Sequence, residues 1–101
     1  MQIDVNQLAV THNPGESRFE TWIENELSKL DYLETGDSIV MTHVGVHPDH
    51  RGHGVAAKLT EVALEYARGK SLRVIPMCSY VAAYIRRNPQ HAELTRQKTS
   101  E

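Results

Sequence analysis

Residues 38–69 read S-I-V-M-T-H-V-G-V-H-P-D-H-R-G-H-G-V-A-A-K-L-T-E-V-A-L-E-Y-A-R-G, and this stretch falls into three parts. Ile39 to Val46 is β-rich and more continuously apolar than its neighbours, as a central strand should be. From Gly54 onward Val55, Ala56, Leu59, Val62, Ala63, Tyr66 and Ala67 recur at helical spacing, leaving Lys58, Glu61, Glu65 and Arg68 on the other side. Gly69 is placed to cap that helix. Between strand and helix, Gly52 and Gly54 remove two side chains, so N–H groups at the helix start are free to close on an anion. The loop reads as a phosphate cradle or as a plain tight turn. A dinucleotide fingerprint is excluded because Ala57 stands where its third glycine belongs, and no Walker lysine follows the glycines.

On the C-terminal side, Leu72 to Ile75 is a short apolar strand stopped by Pro76. A strand, helix and strand of these lengths predict a right-handed crossover with the two strands parallel. Met77, Val81, Tyr84 and Ile85 fit a second, shorter helix that Asn88-Pro89 breaks, and Gln90 to Glu101 holds at most one turn around Leu94 before fraying. On the N-terminal side, Arg18 to Glu24 and Ser28 to Glu34 alternate as half-buried antiparallel strands, with Glu24-Asn25-Glu26 as the hairpin turn and Gly36-Asp37 as the next. Residues 3–11 are loosely apolar and end at the turn His12-Asn13-Pro14-Gly15. The expected architecture is a single α/β domain over residues 1–101, a strand meander followed by strand, loop, helix, strand and helix around one mixed sheet.

A chain of 101 residues supports one core, and an aromatic content of 6% means that core is built from Val, Leu, Ile and Ala. Lys and Arg number 11 against 13 Asp and Glu, so no general field draws in nucleic acid or an anionic membrane. Met1-Gln2-Ile3-Asp4 lacks a basic region ahead of an apolar run, and no stretch is long enough to span a bilayer, so a cytoplasmic location is expected. Cys78 is the one cysteine and forms no internal disulfide; it is buried filler, a reactive thiol or an intermolecular link. His47, His50 and His53 recur every third residue, but in a turn and without a completing Cys or carboxylate, so they are expected in solvent beside phosphate rather than on a metal.

Arg51-Gly52-x-Gly54-x-Ala56, preceded by Val46-x-Pro48, resembles the acetyl-CoA pyrophosphate loop of the GNAT superfamily of N-acetyltransferases, summarised as Q/R-x-x-G-x-G/A. Asp49 stands where Gln or Arg is usual, and Arg51 is then the side-chain partner for phosphate. His43-Val44-Gly45-Val46-His47-Pro48 and Pro76-Met77-Cys78-Ser79-Tyr80-Val81 are similar to H-T-x-V-x-P and P-x-C-x-Y-V of the smallest single-domain branch, with Val44 in place of Thr.

The resemblance implies a GNAT-like fold and acetyl-CoA as donor. It also implies two parallel strands that splay so that the pantetheine arm bonds to exposed backbone around Val44, Gly45 and Val46, with the strand bending at Gly45. Arg51, Gly52, His53, Gly54, Val55 and Ala56 would hold the diphosphate, and Lys58, Arg86, Arg87 and Asn88 either reach the 3′-phosphate or adenine end or form a solvated face. His43 lies two residues before the bend, and an imidazole there suits a base for an incoming ammonium; otherwise it is a half-exposed strand histidine without a role. Cys78 would open the helix after the second splayed strand, as an acetyl acceptor or a cleft wall. Tyr80, rather than Tyr84, is favoured as the acid for the departing thiolate. The acceptor is an amine on a small molecule or a protein, and a non-catalytic acyl-CoA-binding module is the alternative. Oligomeric state is open.

Overall fold

The computed structural model describes residues 3–96. A 3-10 turn at Val5–Gln7 leads into β1 (Thr11–Asn13), β2 (Arg18–Ile23), β3 (Glu26–Thr35) and β4 (Ser38–Gly45), each antiparallel to the one before. The β2–β3 turn is two residues long, and Glu24 and Asn25 both carry positive φ, 51° and 67°, as a type I′ hairpin turn requires. At the β3–β4 turn Gly36 supplies the positive φ, 55°. Helix α1 (Val55–Gly69) then carries the chain back to β5 (Arg73–Pro76), which lies parallel to β4 with Ser38 opposite Arg73 and Met41 opposite Pro76. Helix α2 (Ser79–Arg87) and a 3-10 segment, Pro89–Thr95, follow. The sheet order is the sequence order, β1 to β5, so the expected meander and parallel crossover both form.

One face of the sheet carries the core. Phe19 and Ile23 from β2, Leu30 and Tyr32 from β3, Ile39 and Met41 from β4 and Val74 from β5 pack against Val55, Leu59, Ala63, Leu64 and Ala67 of α1 and Val81 and Ile85 of α2. The opposite face has no helix in that cluster, and Trp22 and Leu33 stand 58% and 56% exposed. Among the described residues no helix is long and apolar enough to cross a membrane.

Four local features differ from the sequence reading. Gly69 is the last helical residue of α1 and not its cap, which is Lys70: Leu72 N–H bonds Ala67 O at 2.9 Å and Ser71 N–H bonds Arg68 O at 3.2 Å, a Schellman closure with Ser71 at φ 56° in the left-handed position. Met77 lies ahead of α2 rather than in it and is 72% exposed, because Pro76 and the turn after it delay the helix to Ser79. Glu61 is on the polar side of α1 but is not a free charge there; it accepts from Tyr84 Oη at 2.5 Å and lies 3.0 Å from His91 Nε2, tying α1 to α2 and to the last segment. That last segment holds two turns instead of one, and the fraying expected after it lies outside the described residues.

Candidate active site

β4 and β5 separate after Met41 and Pro76. Proline has no N–H to continue the ladder. Met77 N–H turns back to Ile75 O at 3.1 Å, Cys78 N–H makes a last bond to Met41 O at 2.9 Å, and the chain then enters α2. β4 continues to Gly45 paired with β3 alone, so the peptide groups it turns away from β3 border an opening rather than a strand.

The bend in β4 falls earlier than the sequence suggested. Tyr32 pairs with Met41 while Asp31 pairs with His43, so Thr42 is the extra residue of a β-bulge; its hydroxyl donates to Asp31 O at 3.3 Å. Gly45 stays in register with Lys29. Its missing side chain serves a different purpose: a Cβ there would lie 3.0 Å from His43 Nε2, so the imidazole rests over the glycine.

Beyond β4 the chain forms a 3-10 turn at Pro48–His50, where His47 Nδ1 accepts from Asp49 N–H at 3.2 Å. Arg51 Nε donates to Val46 O at 3.3 Å, which folds the arginine back along the loop. Gly52 and Gly54 both adopt φ 84°, a conformation that L residues rarely take. Gly54 is the N-cap of α1, with no side-chain cap and no acidic residue in the first turn. The first N–H groups of α1 therefore keep their hydrogen-bonding capacity and the positive end of the helix dipole is not neutralised.

Two adjoining hollows join these features. One of about 340 Å³ is lined by His43, Val44, Gly45 and Val46, and one of about 240 Å³ by His50, Gly52, Gly54, Val55 and Ala57. Val46, Arg51, Ala56 and Tyr80 belong to both, so a single trough runs from the parted strands to the glycine loop. Burial holds the Tyr80 phenol above its ordinary pKa, against a smaller opposing pull from Arg87, so Tyr80 is protonated at neutral pH. Tyr84 is raised further, by burial and by its bond to Glu61, and lines neither hollow.

Of the other residues singled out by sequence, His53 is exposed on the loop and lines neither hollow. Cys78 is the half-buried N-cap residue of α2, packed against the core rather than in the trough. The Asn88 side chain donates to Tyr84 O at 2.8 Å, closing the end of α2. The histidine repeat is not uniformly solvated: His47 is half-buried with Nε2 3.3 Å from Glu26, and His50 is 1% exposed. The 3-10 turn is the cause, since it coils the chain so that successive imidazoles point in different directions. The sequence places His50 beside phosphate but in solvent, because its burial is decided by the 3-10 turn, and it gives no sign that Ala57, on the first turn of α1, lines the hollow. Away from the trough, Glu61, Glu65 and His91 bring three potential ligand atoms within 4.8 Å of one another. His91 Nε2 lies 3.0 Å from Glu61 and Arg68 Nη2 lies 3.0 Å from Nδ1, so this group is a hydrogen-bonded staple between α1 and the last segment.

Parallel strands that part beside an uncapped, glycine-led helix start make this an α/β domain with a trough suited to an extended ligand that carries an anionic group. The family described as GCN5-related N-acetyl-transferase matches residues 18–94, and the chain belongs to that family of N-acetyltransferases. In fold it is similar to a GCN5-like protein of Staphylococcus aureus solved by NMR in solution, with a TM-score of 0.71, 23% sequence identity and 93% of each chain covered.

Proposed function

We propose that the protein transfers an acetyl group from acetyl-CoA to an amine, acting as one small catalytic domain. The observation that carries this reading is the continuity of the trough from the unpaired edge of β4 to the glycine loop. An extended pantetheine arm suits the first part, where it completes the ladder that β5 abandons, and a diphosphate suits the second, beside Arg51 and the N–H groups of Val55 and Ala56.

The chemistry follows from the residues at the parting. An ammonium cannot attack a thioester, so the acceptor first loses a proton to neutral His43, whose ring lies over Gly45. The amine then adds to the carbonyl, and the oxyanion is stabilised by β4 backbone N–H groups near Val44 to Val46. As the C–S bond breaks, the thiolate takes a proton from Tyr80, which burial keeps protonated, and the second proton shed by the attacking nitrogen returns the phenolate to the phenol. Proximity of the two reactants supplies much of the acceleration. The position of Cys78 outside the trough favours direct attack over an acetyl-enzyme. The open sheet face on which His43 stands, opposite Asp31, suits an amine presented on a protein or a polyamine.

The test is calorimetric titration of CoA, paired with thiol release from acetyl-CoA in the presence of amine acceptors, on the wild type and on His43→Ala. The variant should bind CoA within about twofold of the wild type and lose roughly 10²- to 10⁴-fold in turnover. Absence of binding heat at millimolar CoA, or unaltered turnover in the variant, overturns the reading.

A further inference from the structure

His50 sits on the 3-10 turn immediately before Arg51, is 1% exposed, and forms part of the wall of the hollow that the glycine loop closes. Its two ring nitrogens are in different situations. Nε2 faces the β2–β3 hairpin, 4.0 Å from Glu24 Oε1, too far for a hydrogen bond. Nδ1 is sealed from solvent and has no partner, the one side-chain atom in that condition among the described residues. His47 does not serve it: the rings lie 5.4 Å apart, and His47 Nδ1 already accepts from Asp49 N–H. Buried polar atoms are nearly always hydrogen-bonded, so an exception calls for a cause. Packing is a poor one, since a phenyl ring fills the same space without the cost of desolvating a nitrogen.

We propose that His50 is a phosphate-recognition residue, its Nδ1–H donating to a diphosphate oxygen of the coenzyme in the hollow beside Arg51 and the start of α1. The torsion about the imidazole Cβ–Cγ bond is broad, so a turn of the ring carries Nδ1 from the wall toward the hollow without moving the backbone. The donor also fits its neighbours. Arg51 is partly committed, through Nε, to Val46 O, and the α1 N–H groups approach an anion from the helix end alone. A third donor from the preceding turn adds a direction that neither supplies.

This inference rests on the trough being the coenzyme site, and the experiment separates the two. CoA, dephospho-CoA and pantetheine are titrated into the wild type and into His50→Phe, His50→Asn and His50→Gln, with each variant's unliganded melting temperature measured alongside. Losing a hydrogen bond to a charged oxygen should weaken CoA and dephospho-CoA by roughly tenfold to a hundredfold in His50→Phe. Pantetheine, which has no phosphate, should be unaffected. The Asn amide nitrogen lies close to the position of Nδ1 and should restore most of the affinity, whereas Gln places its amide nearer Nε2 and should not. A ¹⁵N-edited spectrum of wild-type imidazoles gives a readout that needs no variant: CoA should move the His50 Nδ1 signal to the protonated, pyrrole-like range. Wild-type affinity in His50→Phe, equal weakening of CoA and pantetheine, or an Nδ1 signal that CoA leaves in place overturns the assignment while the acetyltransferase reading stands. A wild type that fails to bind CoA overturns both.

Discussion

Replacing Gly45 with alanine puts a methyl group 3.0 Å from His43 Nε2 and 3.7 Å from its Cδ2. The imidazole is the flexible partner and yields by roughly 0.5 Å to reach ordinary van der Waals contact. Misplacing a reacting group by about 1 Å costs on the order of 10² in rate, so half that displacement should lower turnover about tenfold, or about 1.4 kcal/mol in the barrier. Stability should not fall with it. Gly45 lies in a strand without positive φ, so alanine removes unfolded-state freedom worth about 0.4–1 kcal/mol, offset in part by the tight contact. Gly52→Ala and Gly54→Ala meet the opposite situation. An added Cβ finds nothing within 4 Å at Gly52 and only Val5, at 3.8 Å, at Gly54, so space is no obstacle, but both residues hold φ 84°. Forcing an L residue there costs about 1–2 kcal/mol, and each kcal/mol lowers the melting temperature by about 4–8 °C in a domain of this size. The assay is thermal unfolding by circular dichroism beside CoA titration and acetyl-CoA turnover. Gly45→Ala should keep its melting temperature and CoA affinity while losing rate, and the two loop variants should lose melting temperature and affinity together. A Gly45→Ala protein with wild-type turnover would refute the claim that the bare Cα positions His43.

Tyr84→Phe removes the 2.5 Å bond to Glu61 and should cost about 1 kcal/mol in calorimetric stability while leaving CoA affinity unchanged, because Tyr84 lines neither hollow. Ser71→Gly relieves the left-handed residue that ends α1 and should add about 0.5–1 kcal/mol, read as a higher urea midpoint. His12 is held below its ordinary pKa, first by burial and further by Lys70, against the opposing pull of Glu34; its Nε2 lies 2.6 Å from Tyr32 Oη and its ring stacks on Phe19. The folded state thus takes up this proton less readily than the unfolded chain. The contribution is complete above about pH 6.5 and is lost as pH falls below that toward the folded value. Urea midpoints between pH 7.5 and 5.5 should therefore fall less steeply in His12→Phe than in the wild type, and equal slopes would show that His12 is not the source.

The elements were legible because their periods are strong. The alternation in β2 and β3 agrees with what the sheet buries, and the helical stripe of α1 does so except for Thr60 and Leu64, which are buried outside it. The apolar run of β4 marks a central strand, but not its faces, since Thr42 and His43 are exposed. The glycine loop was legible because two glycines at that spacing answer a conformational need, and both take the φ expected of them. What stayed hidden depended on turns and on tertiary partners. Glu61 follows the polar phase of α1 correctly, yet no local pattern announces that α2 and the last segment bring Tyr84 and His91 onto it. Likewise a histidine at every third position looks uniform in sequence, and only the 3-10 turn separates buried His50 from exposed His53.

The hidden feature with the largest consequence for the site is the extra residue in β4. Along a regular strand Ile39, Met41 and His43 share one face, and Ile39 and Met41 are fully buried in the core. Strict alternation would drive His43 into that core and turn Val44 out. Thr42 resets the phase: after it, Val44 pairs with buried Leu30 and packs on the core, while His43 pairs with Asp31 on the uncovered face. The same insertion that bends β4 thus takes the imidazole out of the interior and leaves it exposed over Gly45, bordering the gap that β5 leaves. A histidine at position 43 suits a base only in combination with a bulge at position 42, and the apolar run of the sequence, which carries no mark of that bulge, conceals which face the side chain takes.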